Sequence, residues 1–297
     1  MQYLAHDTYI DPARSKPQIW RLLLGIVMVA ACYALGLIGL VLAVALVSGA
    51  DYLNEFLVNL EMAQPLGPTG TVLLLATFIG MAVGPMVAVA VFHSRRVVTL
   101  FGPLPRTFRH FLIAMAVCAV AYGISFLFSS SEVELIPGVG QKLWLAFLPM
   151  ALTGVLLQTG AEEVLFRGYV QQQLVARFRS PILWMILPSA LFGVLHWQPD
   201  VMGDNAIYVV AAAALFGLLA ADLTAKTGAL GAAWGFHFAN NVVAILIVSL
   251  DGPLSGLALY TASVDPASLE IRPLIFLDMG TTVVTWLIIR TIVSRFP

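Results

Sequence analysis

The chain has 297 residues, of which 60% are hydrophobic and only 10% are charged, and its mean hydropathy is +0.92. A water-soluble domain needs charged side chains at about 25% of its positions, so this composition excludes an ordinary soluble protein and indicates that lipid is part of the solvent. The net charge of −1 gives no indication of nucleic-acid binding.

A membrane-spanning helix needs about 20 mostly apolar residues. Eight such stretches follow one another along the chain: Leu22–Ser48, Val72–Phe92, Phe111–Phe128, Leu143–Gln173, Ile182–His196, Asn205–Leu223, Gly228–Leu250 and Leu274–Ile292. They predict an all-α polytopic bundle of about eight transmembrane helices. Residues 22–292 then form one transmembrane domain, flanked by cytoplasmic segments at residues 1–21 and 293–297.

The basic residues indicate how this bundle is oriented. Lys and Arg are retained on the cytoplasmic side of a membrane protein. With both termini inside, thirteen basic residues fall on inner segments and two, Lys142 and Arg272, fall on outer loops. The sequence therefore predicts cytoplasmic termini in a multi-pass protein of the cell membrane, in contact with membrane lipid.

A few polar residues lie within the predicted spans, where an ionisable side chain is costly and is a candidate for function. The fourth span carries a glutamate pair and an arginine, the fifth ends in a histidine, and the seventh carries a histidine and two asparagines. These residues are Glu162, Glu163, Arg167, His196, His237, Asn240 and Asn241.

Helical spacing groups these residues, because positions four apart share one face of a helix. The spacing pairs Glu163 with Arg167, Phe192 with His196, and His237 with Asn241. Glu162 points about 100° away from Glu163 and is expected to face a different neighbour. We therefore expect Glu163 to form an ion pair and Glu162 to be free for chemistry.

Depth in the membrane is the second criterion. Spans four and five turn near Arg179; Glu162 lies 17 residues before that turn and His196 lies 17 residues after it. At equal rise both lie about 25 Å of helix from the turn, and a tilted seventh span brings His237 within reach. The sequence thus predicts that Glu162 and His196 face each other, with His237 nearby.

Small residues recur at every fourth position of the seventh span, at Gly231, Gly235 and Ala239. Such a stripe lets one membrane helix approach another closely. It is compatible with convergence of the polar residues, and equally with helix packing alone. His237 and Asn241 lie on a different face of the same helix.

A carboxylate beside an imidazole, shielded from bulk water, is suited to activating a water molecule as a general base. Side-chain N–H groups of a second histidine and an asparagine can stabilise the oxyanion that forms when a carbonyl is attacked. Glu162 with His196, and His237 with Asn241, supply these groups and predict hydrolysis of a peptide bond. The sequence lacks HExxH and GxSxG motifs and paired intramembrane aspartates, so it gives no support to serine or aspartate catalysis.

Three motifs then resemble one known family. Glu162-Glu163-Val-Leu-Phe-Arg167 resembles EExxxR, Phe192-Gly-Val-Leu-His196 resembles FxxxH, and His237-Phe-Ala-Asn-Asn241 resembles HxxxN. In this order on successive membrane helices they are similar to the CAAX protease and bacteriocin-processing family, which includes the type II CAAX prenyl endopeptidases. The resemblance covers about residues 148–248.

The resemblance implies an eight-helix glutamate-dependent intramembrane endopeptidase, with its catalytic helices at about residues 143–250. It implies that Glu162 is the base, that His196 holds or activates the water, and that His237 and Asn241 form the oxyanion site. Glu163, Arg167 and Phe192 would support them. No cofactor is expected, and the substrate would be a membrane-anchored or lipidated protein or peptide.

Three alternatives remain open on the sequence. The intramembrane carboxylates and histidines also suit a proton- or cation-coupled transporter, and an immunity protein that binds a peptide without cleaving it would carry the same polar site. A third alternative keeps the peptidase but makes it a zinc enzyme, with Glu162, His196 and His237 as ligands.

Overall fold

The computed structural model of the protein describes residues 4–128 and 133–296, and most of them are helical. Ten helices follow one another: α1 Leu4–Arg14, α2 Ile19–Ser48, α3 Ala50–Glu61, α4 Gly67–His93, α5 Val97–Leu127, α6 Gln141–Arg177, α7 Ile182–Val194, α8 Pro199–Thr227, α9 Gly231–Ile247 and α10 Leu269–Val293. Residues 1–3, at the start of the predicted segment 1–21, and residue 297, at the end of the segment 293–297, lie outside the described residues.

Six of these helices are long and apolar enough to cross a membrane, namely α2, α4, α5, α6, α8 and α10. Helices α7 and α9 are apolar but shorter, and they fall on the fifth and seventh predicted spans. A bilayer interior offers no water to backbone groups, so a spanning segment is stable as a helix that bonds internally. The predicted all-α polytopic bundle is confirmed, whereas eight crossings and cytoplasmic termini stay predictions.

The seventh predicted span is wrong at its end, because α9 stops at Ile247 and the chain continues as a strand. Strand β2 (Val248–Leu250) runs parallel to β3 (Tyr260–Ala262), which runs antiparallel to β1 (Leu135–Pro137). Val248-Ser249-Leu250 continues the apolar run of the helix, so composition alone did not mark this change. The small sheet has the order β1-β3-β2, with β1 preceding α6 and β2 following α9.

Helix α1 lies in the segment predicted as a cytoplasmic N-terminal extension. It buries His6, Tyr9, Ile10 and Ala13. The Tyr9 hydroxyl donates a 2.5 Å hydrogen bond to the Leu100 carbonyl, and the side chain of Gln172 on α6 donates to the Tyr9 carbonyl. Burial lowers the pKa of His6 to about 4, against a smaller opposing effect of Asp7, so its ring is neutral at pH 7 while α1 is packed.

Two glycines of the predicted stripe let α9 pack directly on α5. A Cβ at Gly231 would meet the backbone carbonyl of Thr107, and one at Gly235 would meet that of Phe111. Helices α2 and α4 approach in the same way, since a Cβ at Gly84 would lie 2.7 Å from Cα of Val29. Contact between α9 and α5 determines which residues of α5 can reach the seventh predicted span.

The three motif-bearing helices each contain a π-helical segment. These segments are Val164–Gln171 in α6, Ile182–Ile186 in α7 and Val243–Ile247 in α9. A π turn contains more residues than an α turn and is frequent at functional sites. The rise and rotation assumed from a regular helix therefore do not hold through these stretches.

The predicted orientation can be tested with reporters of sidedness. We expect accessibility tags at both termini to report the cytoplasm, and tags in the loops at 50–70 and 251–271 to report the outside, because the basic residues divide 13 to 2 between the two sides. A reproducible cytoplasmic signal from either loop would contradict an eight-crossing bundle.

Candidate active site

The glutamate pair lies at the centre of α6, immediately before its π segment. Glu163 is fully buried and Arg167 is 2% exposed. Arg167 Nη1 lies 3.0 Å from Glu163 Oε1, and Nη2 donates to the Gly217 carbonyl on α8 at 3.1 Å. The ion pair expected from the four-residue spacing is present, and it also ties α6 to α8.

His237 on α9 contacts both glutamates. Its Nδ1 lies 2.9 Å from Glu163 Oε1, and its Nε2 lies 3.5 Å from Glu162 Oε2. A carboxylate oxygen accepts hydrogen bonds, so Nδ1 of His237 is the donor and Nε2 is the nitrogen turned towards Glu162. Glu163 therefore contacts His237 as well as Arg167, and this second contact was not predicted from helical spacing.

Glu162 is 8% exposed, and its two carboxylate oxygens have different surroundings. Oε1 accepts a 2.8 Å hydrogen bond from Nε2 of Gln158, one helical turn earlier. Oε2 accepts no hydrogen bond from the described residues and faces His237. Glu162 thus has one oxygen held in place and one oriented towards the imidazole.

Asn241 joins this cluster through Gln158. Its Nδ2 donates to Oε1 of Gln158 at 2.8 Å, and that same amide donates to Glu162. His237 and Asn241, which were expected to share a face of α9, both lie against α6. The structure therefore brings together Glu162, Glu163, His237 and Asn241.

His196 follows the end of α7 at Val194, is partly exposed, and its Nδ1 donates to the Phe192 carbonyl at 2.8 Å. That His196 faces Glu162 stays a prediction. The partners found for Glu162 are Gln158 and His237. The equal-offset argument assumed a regular helix up to His196, and the π segment at Ile182–Ile186 and the turn after Val194 both depart from one.

Phe192 nevertheless links His196 to the rest of the site. The phenyl ring has its centroid 4.8 Å from that of His196 and 5.9 Å from that of His237. The Arg167 guanidinium lies 4.8 Å from the same ring, and Phe216 packs on the other imidazole at 4.8 Å. Aromatic side chains thus exclude water from the charged groups, which strengthens the electrostatic interactions among them.

The side chains of Glu162, His196 and His237, named above as possible zinc ligands, are not arranged as a metal site. Within residues 4–128 and 133–296, no group of three or more His, Cys, Asp or Glu side chains is arranged to hold a metal ion.

The structure adds polar residues that the sequence analysis did not select. Gln158 is buried between Glu162 and Asn241. Its position four residues before Glu162 places both side chains on one face of α6 and could have indicated their contact. The sequence analysis selected two asparagines of the seventh predicted span but not this glutamine of the fourth. Away from the site, Asp222 on α8 accepts from Arg290 Nε at 2.8 Å and from Trp286 Nε1 at 3.1 Å, which joins α8 to α10.

Comparison with known proteins agrees with the position of this site. Residues 142–243 match the family described as type II CAAX prenyl endopeptidase Rce1-like, and this stretch includes all the motif residues. The chain is also 33% identical over 107 residues to uncharacterized protein YyaK of Bacillus subtilis (strain 168). The aligned part is 36% of this chain and 35% of that relative, so the chain spans about a third of the length of the curated relative it matches.

No solved structure matches the chain. The match of the family to residues 142–243 confirms the resemblance drawn from the three motifs, over the helices that carry them. Helices α1–α5 and α10 lie outside the matched residues. The chain therefore carries, over residues 142–243, a domain of the type II CAAX prenyl endopeptidase Rce1-like family.

Proposed function

We propose that this protein is an intramembrane endopeptidase of the cell membrane that hydrolyses a peptide bond in a membrane-anchored or lipidated protein or peptide. The observation that carries the proposal is the environment of Glu162. Its carboxylate is buried, one oxygen is held by Gln158, and the other faces His237 without a hydrogen-bond donor among the described residues. A general base needs such a fixed oxygen within reach of water.

Glu162 Oε2 is proposed to take a proton from a water molecule as the water oxygen attacks the carbonyl carbon of the peptide bond. The new C–O bond forms while the electron pair of the C=O bond moves onto the carbonyl oxygen. When the tetrahedral species collapses, the C–N bond breaks and the leaving nitrogen takes the proton from Glu162. The products are a carboxylic acid and an amine, which ionise to a carboxylate and an ammonium group, with no redox change.

Two groups in the site can donate to the oxyanion. Asn241 uses one Nδ2 hydrogen for Gln158 and has a second one for substrate. His237 is proposed as the second oxyanion group through Nε2, because its Nδ1 already donates to Glu163. Such preorganised donors contribute about 3–4 kcal/mol each to the transition state.

His196 is proposed to help hold the attacking water. Its Nδ1 donates to the Phe192 carbonyl, so in the neutral ring Nε2 has a lone pair that can accept a hydrogen bond. The ring is partly exposed and packs on the same phenyl group as His237. This position suits a group that meets water or substrate entering the buried cluster.

The proposal is tested with purified protein in lipid nanodiscs and a fluorogenic peptide that carries a farnesylated cysteine near its carboxyl end. Cleavage at one bond, identified by mass spectrometry, is expected. The same peptide without the farnesyl group shows whether a lipid anchor is needed, and loss of cleavage with a chelator, restored by zinc, would support the metal-dependent alternative. Tight peptide binding without cleavage would favour the immunity protein, and proton-coupled uptake into proteoliposomes would favour the transporter.

A further inference from the structure

Side-chain hydrogen bonds connect Glu162 to a tyrosine on a different helix through three amides. The Tyr122 hydroxyl on α5 donates to Asn240 Oδ1 at 2.8 Å, and Asn240 Nδ2 donates to Asn241 Oδ1 at 3.4 Å. Asn241 Nδ2 then donates to Gln158 Oε1, and Gln158 Nε2 donates to Glu162 Oε1, each at 2.8 Å. We call these five residues the amide relay.

Every hydrogen bond of the amide relay runs in the same direction. A primary amide has an oxygen that accepts and a nitrogen that donates, so an amide that accepts on one side presents its nitrogen on the other. The relay begins at a hydroxyl donor and ends at a carboxylate, which accepts when ionised. Turning any one amide over would place oxygen against oxygen and nitrogen against nitrogen, in a partly or fully buried setting where unpaired polar groups are costly.

This directionality determines which end of Asn241 faces the site. With its oxygen held by Asn240 and its nitrogen towards Gln158, Asn241 presents N–H groups beside Glu162. An asparagine turned the other way would present an oxygen and repel a developing oxyanion. Contact of α9 with α5 at Gly231 and Gly235 is what brings Tyr122 within reach of Asn240.

We propose that Tyr122, Asn240 and Gln158 are positioning residues, which act by fixing the amide of Asn241 as a donor and the carboxylate of Glu162 as an acceptor. The inference rests on the proposed peptidase function. The hydrogen bonds of the amide relay connect Tyr122 and Asn240 to Glu162 only by way of Asn241 and Gln158. Their effect on turnover should therefore pass through Asn241.

A double-mutant cycle tests this dependence. Tyr122→Phe should lower kcat by roughly 3- to 10-fold with KM unchanged, since an interaction made only in the transition state is weakened. Asn240→Asp should lower kcat further, because a carboxylate accepts from both Tyr122 and Asn241 and turns the latter away from Gln158. In an Asn241→Ala background, Tyr122→Phe should have no further effect on kcat.

Tyr33→Phe on α2 is the matched control, since it removes the same hydroxyl from another partly buried membrane tyrosine; wild-type kcat and thermal stability are expected. Additive losses in the cycle, a change in KM alone, or wild-type kcat for Tyr122→Phe would overturn the proposal.

A second measurement does not depend on activity. The ¹⁵N–¹H resonances of the Asn241 side-chain amide, recorded in nanodiscs, should shift with Tyr122→Phe and stay in place with Tyr33→Phe. Wild-type protein that cleaves none of the peptides would count against the peptidase function, whereas unshifted Asn241 resonances would overturn the amide relay.

Discussion

Glu162→Gln is expected to lower the rate of cleavage by about 10²–10⁴-fold, the loss that follows removal of a general base. The protein should still fold and insert. Glutamine keeps the shape of the side chain and an oxygen that can accept from Gln158, but it cannot take a proton from water. The relevant measurements are single-turnover cleavage of the farnesylated peptide and thermal unfolding, both in the same lipid nanodiscs. Glu61→Gln is the control, because Glu61 lies exposed at the end of α3.

The neighbouring glutamate provides the outcome that would reassign the base. Glu163 is bonded to both Arg167 and His237, so Glu163→Gln is expected to reduce stability as well as activity. If Glu162→Gln retains near wild-type turnover while a well-folded Glu163→Gln is inactive, the base is Glu163.

Arg167→Gln is expected to destabilise the protein by about 3–5 kcal/mol, because removing one partner leaves a buried carboxylate without its countercharge. The Arg167 guanidinium also bonds the Gly217 carbonyl and packs on the Phe192 ring, so α8 and the His196 turn lose a contact together. Denaturant unfolding in detergent micelles measures the loss, and activity should fall in parallel.

Arg14→Gln is the matched control for that substitution. Arg14 Nη2 lies 2.7 Å from Asp7, but 46% of one side chain and 54% of the other are exposed, and exposed pairs contribute about 0–1 kcal/mol. Equal destabilisation by the two substitutions would show that the Glu163–Arg167 pair is not an important source of stability.

The sequence predicted the contact within one helix and the approach of His237 to Glu162, but not the hydrogen bonds between helices. The Glu163–Arg167 pair follows from a four-residue spacing, which holds even where Arg167 enters the π segment. The bond between His237 and Glu163 depends on how α9 is rotated against α6, and spacing along either helix carries no information about that rotation.

The equal-offset argument for Glu162 and His196 assumes regular helix geometry, and α7 departs from it. Equal offsets of Glu162 and His196 from Arg179 predict that they face each other only if both helices rise by the same amount per residue. The π segment in α7 and the turn after Val194 alter both rise and direction. No π signal was recognised in the sequence, because Ile182–Ile186 reads as an ordinary apolar run.

The remaining omissions concern residues whose partners lie far away in the sequence. The sequence predicts only a cytoplasmic segment at residues 1–21, whereas α1 within it buries four side chains. Asp222 was not selected as a polar residue of the sixth predicted span, although it is 8% exposed and pairs with Arg290. In both cases the partner lies far away in sequence, where local patterning has no means to indicate it.

The buried face of α1 has a consequence for the order of synthesis. Its tyrosine hydroxyl bonds a carbonyl 91 residues later, its backbone accepts from Gln172, 163 residues later, and Ala5 lies against Gly228. Because α1 precedes these partners in the chain, its docking surface is complete only after α8 and Gly228 have been translated. Contacts of such sequence separation cost more loop-closure entropy than local ones, so α1 is expected to dock after the helices between it and Gly228 have formed.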